Sequence, residues 1–176
     1  LSIRRQRQMC IRDSTSVVRP HVMQCCTGNG TQGLYYAWEG IVRCADGRNA
    51  QVNLLLNRAS PWLDVDSHLP YEGRVVIRNK TAERASVRIS SWIDRRQLRA
   101  AVNGHPRQPF WVGNYAVFDA LKPTDEITLQ FPVVEETISY TALARAWRLE
   151  TVYKCTFRGN TLVDISPRED AADSYP

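Results

Sequence analysis

The sequence predicts a mainly β protein, an antiparallel β-sandwich preceded by one amphipathic helix. The chain has 176 residues, 43% apolar and 23% charged, which is typical of one globular domain. Apolar residues recur at helical spacing over one short stretch and alternate with polar residues in much of the chain beyond it. Turn-forming clusters separate the alternating runs, and short strands at such spacing are typical of a sandwich or barrel.

The helix is predicted from the first regular pattern in the chain. One helical face carries five apolar residues, namely Leu34, Tyr35, Trp38, Ile41 and Val42. Suitable N-cap residues precede it at Thr27, Asn29 and Thr31. A turn signal at Asp46 and Gly47 places the end of the helix near Arg43. Because such a helix is stabilised mainly by packing, we expect the sandwich or a preceding helical domain to cover its apolar face.

The remainder of the chain predicts a series of short strands. They cover Gln51–Asn57, Trp62–Asp66, Arg74–Arg78, Ala85–Ser91, Arg99–Val102, Tyr115–Phe118, Glu126–Phe131, Thr151–Phe157 and Thr161–Ile165. The polar segment 79–84 separates the third run from the fourth, so these two runs are predicted to form a hairpin. The alternation favours antiparallel sheets.

The basic charge of the chain is concentrated at its beginning. Of the net charge of +5, residues 1–14 carry +3, so the remaining chain carries only +2. This nearly neutral body argues against nucleic acid as a partner. The string RQRQMCIRDS resembles translated sequencing-adapter sequence, so residues 1–14 are predicted to be a non-native, disordered leader. The alternative is a basic disordered arm.

Two further features concern the membrane and the redox setting. No run approaches the roughly 18 apolar residues of a membrane helix, so no membrane partner is expected. The five cysteines, Cys10, Cys25, Cys26, Cys44 and Cys155, are odd in number and irregularly spaced. This pattern does not resemble a disulfide framework, and it slightly favours a reduced, cytoplasmic setting, although the compartment stays open.

The adjacent thiols Cys25 and Cys26 are the strongest candidates for chemistry. Neighbouring α-carbons lie about 3.8 Å apart, below the roughly 4.4 Å minimum of ordinary disulfides, so free thiols or metal ligands are expected. A helix N-terminus stabilises a thiolate, which can attack carbon or bind zinc. Zinc sites need about four ligands, however, so inert buried thiols remain an alternative.

Other patterns are weaker. Residues 28–33 match G-x-G-x-x-G, but no parallel strand precedes them, so a glycine loop allowing close backbone approach is favoured over a dinucleotide site. Asp64 and Asp66 share a strand face, where solvated carboxylates are expected rather than a calcium site. The histidines His21, His68 and His105 lack metal-ligand spacing. Core packing is favoured over sugar stacking for the five tryptophans, Trp38, Trp62, Trp92, Trp111 and Trp147.

An ordered series of motifs resembles glycoside hydrolase family 127, the β-L-arabinofuranosidase group. The resemblance extends over about residues 15–170 and is carried by Cys25–Gly30, Leu34–Glu39, Val52–Asn57, Leu69–Gly73, Asn79–Ala82, Val87–Trp92 and Phe157–Asp164. It implies a bacterial enzyme with an (α/α)6 barrel followed by β-sandwich domains. The predicted helix would then be a remnant of that barrel, and the chain a C-terminal fragment.

The resemblance also implies roles for the cysteine pair. Cys25 would be the nucleophile that attacks the anomeric carbon, and Cys25 and Cys26 would both bind Zn²⁺. A further cysteine, a glutamate ligand and the glutamic acid that protonates the leaving oxygen would lie upstream, outside this chain. Zinc binding by this fragment is therefore expected to be weak or absent, and the fragment is expected to be inactive alone.

These implications give a domain division and a predicted function. Residues 15–46 are predicted to end the helical barrel, residues 47–170 to form the β-sandwich and residues 171–176 to be a truncated tail. The parent enzyme would release terminal L-arabinofuranose or a related sugar from glycans, and the missing barrel of the same chain would be the partner of this fragment. The main alternative is a non-catalytic β-sandwich module that binds carbohydrate or packs against another domain. A thiol redox protein is the third possible function, but Cys25 lacks the spaced resolving cysteine that such a protein needs.

Overall fold

A computed structural model of the protein describes residues 24–144 and 149–167. The predicted leader, residues 1–14, and the predicted tail, residues 171–176, lie outside this part. The described helix, α1, spans Gln24–Glu39. The described strands are β1 (Val42–Cys44), β2 (Asn49–Val52), β3 (Leu63–Ser67), β4 (Arg74–Asn79), β5 (Arg84–Arg88), β6 (Arg99–Val102), β7 (His105–Pro106), β8 (Phe110–Val112), β9 (Tyr115–Phe118), β10 (Glu126–Gln130), β11 (Glu135–Ala144), β12 (Leu149–Arg158) and β13 (Thr161–Ser166).

Two five-stranded sheets form the sandwich. The first sheet has the order β1-β2-β5-β9-β8 and the second β3-β4-β10-β6-β7, while β11-β12-β13 form a separate three-stranded sheet. The pairing within the two larger sheets is antiparallel except between β2 and β5, which run parallel. This architecture confirms the predicted mainly β fold with a helix before it.

The chain divides into two compact units. The larger consists of residues 39–138 and 156–164 and contains both five-stranded sheets. In its described part, the smaller contains α1 up to Trp38, residues 139–155 and the end of β13. None of the helices in the described part is long and apolar enough to span a bilayer.

Alternation along the strands builds the core of the larger unit. In β3, Leu63 and Val65 are buried, while the intervening Asp64 and Asp66 remain partly exposed. The first sheet contributes Val52, Val87 and Phe118, and the second sheet contributes residues such as Leu63 and Ile77; all five are at most 1% exposed. Burial of such side chains is the main favourable term in folding, so this unit holds a well-formed hydrophobic core.

The hairpin predicted between β4 and β5 is wrong. These strands lie in different sheets: β4 pairs with β3 and β10, whereas β5 pairs with β2 and β9. Asn79, only 4% exposed, organises the crossing segment. Its side-chain amide donates to the carbonyls of Ala82 and Lys122 at 2.8 Å, and its Oδ1 accepts from the backbone N–H of Ala82 at 3.1 Å. The polar composition of residues 79–84 correctly indicates a turn, but it does not fix which sheet the chain enters next.

The predicted bounds of the helix also need correction. α1 ends at Glu39 rather than near Arg43, because Ile41 and Val42 pack in the sandwich core at 2% and 5% exposure. All three predicted N-cap residues, Thr27, Asn29 and Thr31, lie inside α1. Because β1 begins at Val42 and pairs with β2, the first sheet starts before the predicted domain boundary at residue 47.

The predicted strand Gln51–Asn57 is shorter in the structure, since β2 stops at Val52. Asn53 lies where the pairing of β2 with β1 ends. Its backbone N–H donates to the carbonyl of Ile41 at 2.8 Å, and its side-chain amide donates to the carbonyl of Gly40 at 2.9 Å. Beyond it, Leu55 turns into the core. The apolar run therefore includes a bend that alternation alone does not show.

Two glycines permit close approaches that a side chain would block. A Cβ at Gly73 would lie 1.8 Å from the carbonyl oxygen of Phe131, whose backbone N–H donates to Gly73 at 2.9 Å. Gly159 has a φ of +62°, and a Cβ there would lie 3.0 Å from the ring of Trp92. The Trp92 ring in turn packs edge-on against Phe131, with centroids 5.6 Å apart. Gly73, Trp92 and Gly159 belong to motifs that carry the family resemblance, and their role here is structural.

Candidate functional site

The cysteine pair lies within a helix. Cys25 and Cys26 are the second and third residues of α1, so the helix already includes the pair that was expected to precede it. Their side chains lie outside the described part of the structure. Backbone N–H groups in the first turn of an α-helix have no intrahelical acceptor, which is the basis of the predicted thiolate stabilisation. The roles of Cys25 and Cys26 therefore stay predictions.

The later turns of α1 carry a row of exposed apolar side chains. Leu34 is 73% exposed, Tyr36 62% and Trp38 50%. Tyr35 contacts two of its neighbours, with ring centroids 5.9 Å from Tyr36 and 6.1 Å from Trp38. The predicted helical pattern thus exists, but these side chains are not buried as a core face would be.

The two other described cysteines form no metal-binding cluster with other described side chains. Cys155 is 7% exposed, and Cys44, which is half-buried, has its Sγ 4.0 Å from Oδ1 of Asp46. Both are free thiols. Among the described residues, no group of three or more His, Cys, Asp and Glu side chains is arranged to hold a metal ion.

The two aspartates of β3 are held by basic neighbours rather than arranged as a cation site. Asp64 accepts a hydrogen bond from Nζ of Lys80 at 2.6 Å, and Asp66 lies 3.3 Å from a guanidinium nitrogen of Arg78. Burial favours the neutral form of Asp64, but hydrogen bonds from Lys80 and from the backbone N–H of Ser60 outweigh it, so the pKa of Asp64 lies below its ordinary value of 3.8. This arrangement agrees with the predicted solvated pair.

The described histidines follow the simpler prediction, and so do three of the four described tryptophans, whereas Trp38 remains 50% exposed. His68 lies 3.7 Å from a carboxylate oxygen of Glu72, and His105 is exposed in β7. Three tryptophans pack against the core, namely Trp62, Trp92 and Trp111. His21 and the side chain of Trp147 lie outside the described residues.

A surface turn holds the most strongly shifted acid in the described part. Hydrogen bonds from the backbone and then the side chain of Asn49, and from the backbone N–H of Arg48, lower the pKa of Asp46 to about 2. At Asp125, the backbone N–H of Lys122 and then the side chain of Asn103 lower the pKa below its ordinary value. Both carboxylates accept bonds that order a turn, so the shifts indicate structural roles.

The first sheet has a concave surface that the sequence patterns did not predict. A groove of about 430 Å³ lies on the face of β2, β5, β9 and β8 that points away from the core; we call it the outer groove. Four residues in register cross it from strand to strand, in the order Gln51, Ser86, Val117 and Phe110. Alternation could have placed these residues on the outer face, but the order of the strands was needed to bring them together.

Comparison with known proteins gives matches at the level of structure. No protein-family model matches the sequence, and no curated protein matches it. A GH127 beta-L-arabinofuranosidase from Geobacillus stearothermophilus T6 matches 80% of the chain with a TM-score of 0.59 at 17% identity. A GH127 beta-arabinofuranosidase matches 69% with a TM-score of 0.51 at 14% identity. A structure described as a glycoside hydrolase matches 83% with a TM-score of 0.60 at 20% identity.

These matches concern one part of much longer chains. This chain covers 24%, 23% and 26% of the three structures, which is about a quarter of each. At these identities the likeness establishes the fold. The chain therefore has the fold of a segment of these glycoside hydrolases, which confirms the structural resemblance predicted from its motifs.

Proposed function

We propose that the chain is the C-terminal part of a retaining glycoside hydrolase of the family 127 type. The observation that carries this proposal is the structural match of 80% of the chain to a GH127 beta-L-arabinofuranosidase. The motif series quoted above supports the same family from the sequence. Because the chain spans about a quarter of the matched enzyme, the catalytic barrel would be supplied by the rest of the parent protein.

The cysteine pair supplies the chemistry in this proposal. The thiolate of Cys25 attacks the anomeric carbon of a terminal sugar, and a sulfur–carbon bond forms as the glycosidic carbon–oxygen bond breaks. A glutamic acid of the parent protein, outside this chain, gives its proton to the leaving oxygen. Water then attacks the same carbon and gives one proton to the glutamate carboxylate, and the sulfur–carbon bond breaks to release the sugar and the thiolate. Two displacements at one carbon give net retention of configuration.

The donor chemistry of the pair fits zinc, although the set within this chain is incomplete. Thiolates are preferred zinc ligands, and a zinc site fully coordinated by the protein has about four ligands. Cys25 and Cys26 would supply two, and the described residues contain no cluster that would supply the others. Bound zinc would keep these thiols deprotonated at neutral pH. We therefore expect this chain alone to bind zinc weakly and to be inactive.

The substrate proposed is a glycan with terminal L-arabinofuranose or a related sugar. This choice follows the activities named for two of the matched structures. A non-catalytic role remains the alternative for the sandwich itself, and the outer groove is the candidate binding site for such a role.

The proposal is tested in the full-length parent protein with arabinofuranosides as substrates. Cys25→Ala should lower kcat by at least about 10⁴-fold while leaving the circular dichroism spectrum unchanged, because the nucleophile is removed. Cys26→Ser should lower both bound zinc and activity. Cys44→Ser is the matched control, since Cys44 is a half-buried thiol in the sandwich, and it should retain full activity. Retained activity in Cys25→Ala would remove the proposed nucleophile.

A further inference from the structure

We propose that the outer groove binds a neutral saccharide unit, separately from the cysteine pair. Its lining comes entirely from residues 49–119, which lie within the larger compact unit. None of these lining residues is a cysteine. The groove would hold a glycan chain on the sandwich rather than cleave it.

The groove has an apolar wall on β8. Phe110 is 67% exposed and Val112 57% exposed on β8, on the face opposite the core. Clustered apolar side chains on an outer sheet face are unfavourable in water and commonly mark a binding surface. An aromatic ring beside polar groups suits a sugar, which presents both C–H faces and hydroxyl edges.

The floor of the groove is polar. Gln51 and Ser86 pair across β2 and β5 and are half-buried. Within the described part of the protein, neither side chain has a hydrogen-bond partner. A glutamine amide and a serine hydroxyl each donate and accept hydrogen bonds, as sugar hydroxyls do. An apolar partner surface would leave both side chains without partners, whereas a saccharide satisfies them.

The charge and the volume of the groove also fit a small neutral ligand. The charged residues that line the groove are Arg84 and Asp119, which form an ion pair with each other. The lining is therefore electrically neutral, which favours an uncharged ligand over a phosphate or a uronic acid. A volume of about 430 Å³ lies within the range of small-ligand sites, roughly 300–1,000 Å³.

The test is a titration of the isotope-labelled 176-residue chain, followed by NMR, with neutral pentoses, neutral hexoses and their disaccharides. We expect a dissociation constant of about 1 mM for at least one of them, with shift changes centred on the groove residues. Phe110→Ala and Gln51→Ala should each weaken binding about tenfold or more. Tyr71→Ala is the matched control, because Tyr71 is 89% exposed and outside the groove, and it should bind normally.

Three results would overturn the proposal. The first is that none of the sugars binds, and the second is that Phe110→Ala and Tyr71→Ala weaken binding equally. The third is that no saccharide binds while Phe110→Ala changes the sedimentation of the protein, which would identify the groove as a protein contact. Cys25→Ala should leave saccharide binding by this chain unchanged. A failed titration therefore contradicts the groove alone, while a failure of the cysteine chemistry leaves the groove intact.

Discussion

The sandwich buries its apolar side chains, whereas the helix leaves similar side chains exposed. In the larger unit, Val52 and Leu63 are 0% exposed, and alternation on two facing sheets closes the core. In α1, Leu34 and Tyr36 are 73% and 62% exposed although they follow a regular helical pattern. Since burial provides most of the stabilisation, the sandwich accounts for its own fold and the exposed turns of α1 do not. The sandwich should therefore tolerate substitution in α1, but not at its own close contacts.

The largest effect is expected at Gly73. Gly73→Ala should destabilise the sandwich by about 3 kcal/mol or more, because a Cβ would lie 1.8 Å from the carbonyl oxygen of Phe131 and would force the backbones apart. Urea unfolding followed by tryptophan fluorescence measures this loss. Gly47→Ala is the control: a Cβ there meets nothing within 4 Å, so only its φ of +76° adds a cost, about 1–2 kcal/mol. Equal losses would contradict the steric explanation.

A smaller loss is expected at Asn79. Asn79→Ala should cost about 2–3 kcal/mol, because two carbonyls and one backbone N–H lose their partner at a buried site. The same urea experiment measures it. Asn57→Ala provides the comparison, since the exposed side chain of Asn57 accepts a single hydrogen bond, from the backbone N–H of Ser67, and it should cost less than about 1 kcal/mol. A neutral Asn79→Ala would show that this side chain does not organise the crossing between the sheets.

In the helix, a gain is expected instead of a loss. A Cβ at Gly30 would meet nothing within 4 Å, so Gly30→Ala should stabilise α1 by about 0.5–1 kcal/mol. Far-ultraviolet circular dichroism should show more helix, while the urea midpoint of the sandwich stays unchanged. A shifted sandwich midpoint would show that the stability of the sandwich depends on α1.

The smallest effect is expected at acidic pH. The folded-state pKa of Asp46 is about 2, below its ordinary value of 3.8, so the unfolded chain binds this proton more readily. The stabilisation from Asp46 is therefore complete above about pH 4 and is lost as the pH falls towards 2. Asp46→Asn should flatten the decline in melting temperature between these values. An equally steep decline in the variant would show that other acids cause it.

Patterns that repeat along the chain were predictable from sequence. Two strands, Arg99–Val102 and Tyr115–Phe118, have the predicted bounds, because alternation and flanking turns define them. The order of strands was not predictable in the same way. Segment 79–84 has the composition of a hairpin turn, yet the buried amide of Asn79 directs the chain into the other sheet. That contact depends on Lys122, which is 43 residues away.

The candidate sites show the same limit. The pair Cys25 and Cys26 was identified from the sequence because adjacent thiols are chemically unusual. The outer groove was missed because Gln51, Ser86 and Phe110 come together only when the parallel pairing of β2 with β5 and the position of β8 are known. Helical spacing also misassigned Ile41 and Val42, since a short apolar pair fits a strand equally well.

In the proposed function, the Cys25 sulfur bonds to a sugar during turnover. The most direct measurement is peptide mapping by mass spectrometry of the full-length parent protein, quenched during turnover of a slow arabinofuranoside. We expect one glycosyl group on Cys25 and none on Cys44, with the adduct absent from Cys25→Ala. Turnover accompanied by a glycosyl group on another residue, or turnover by Cys25→Ala at the normal rate, would contradict it.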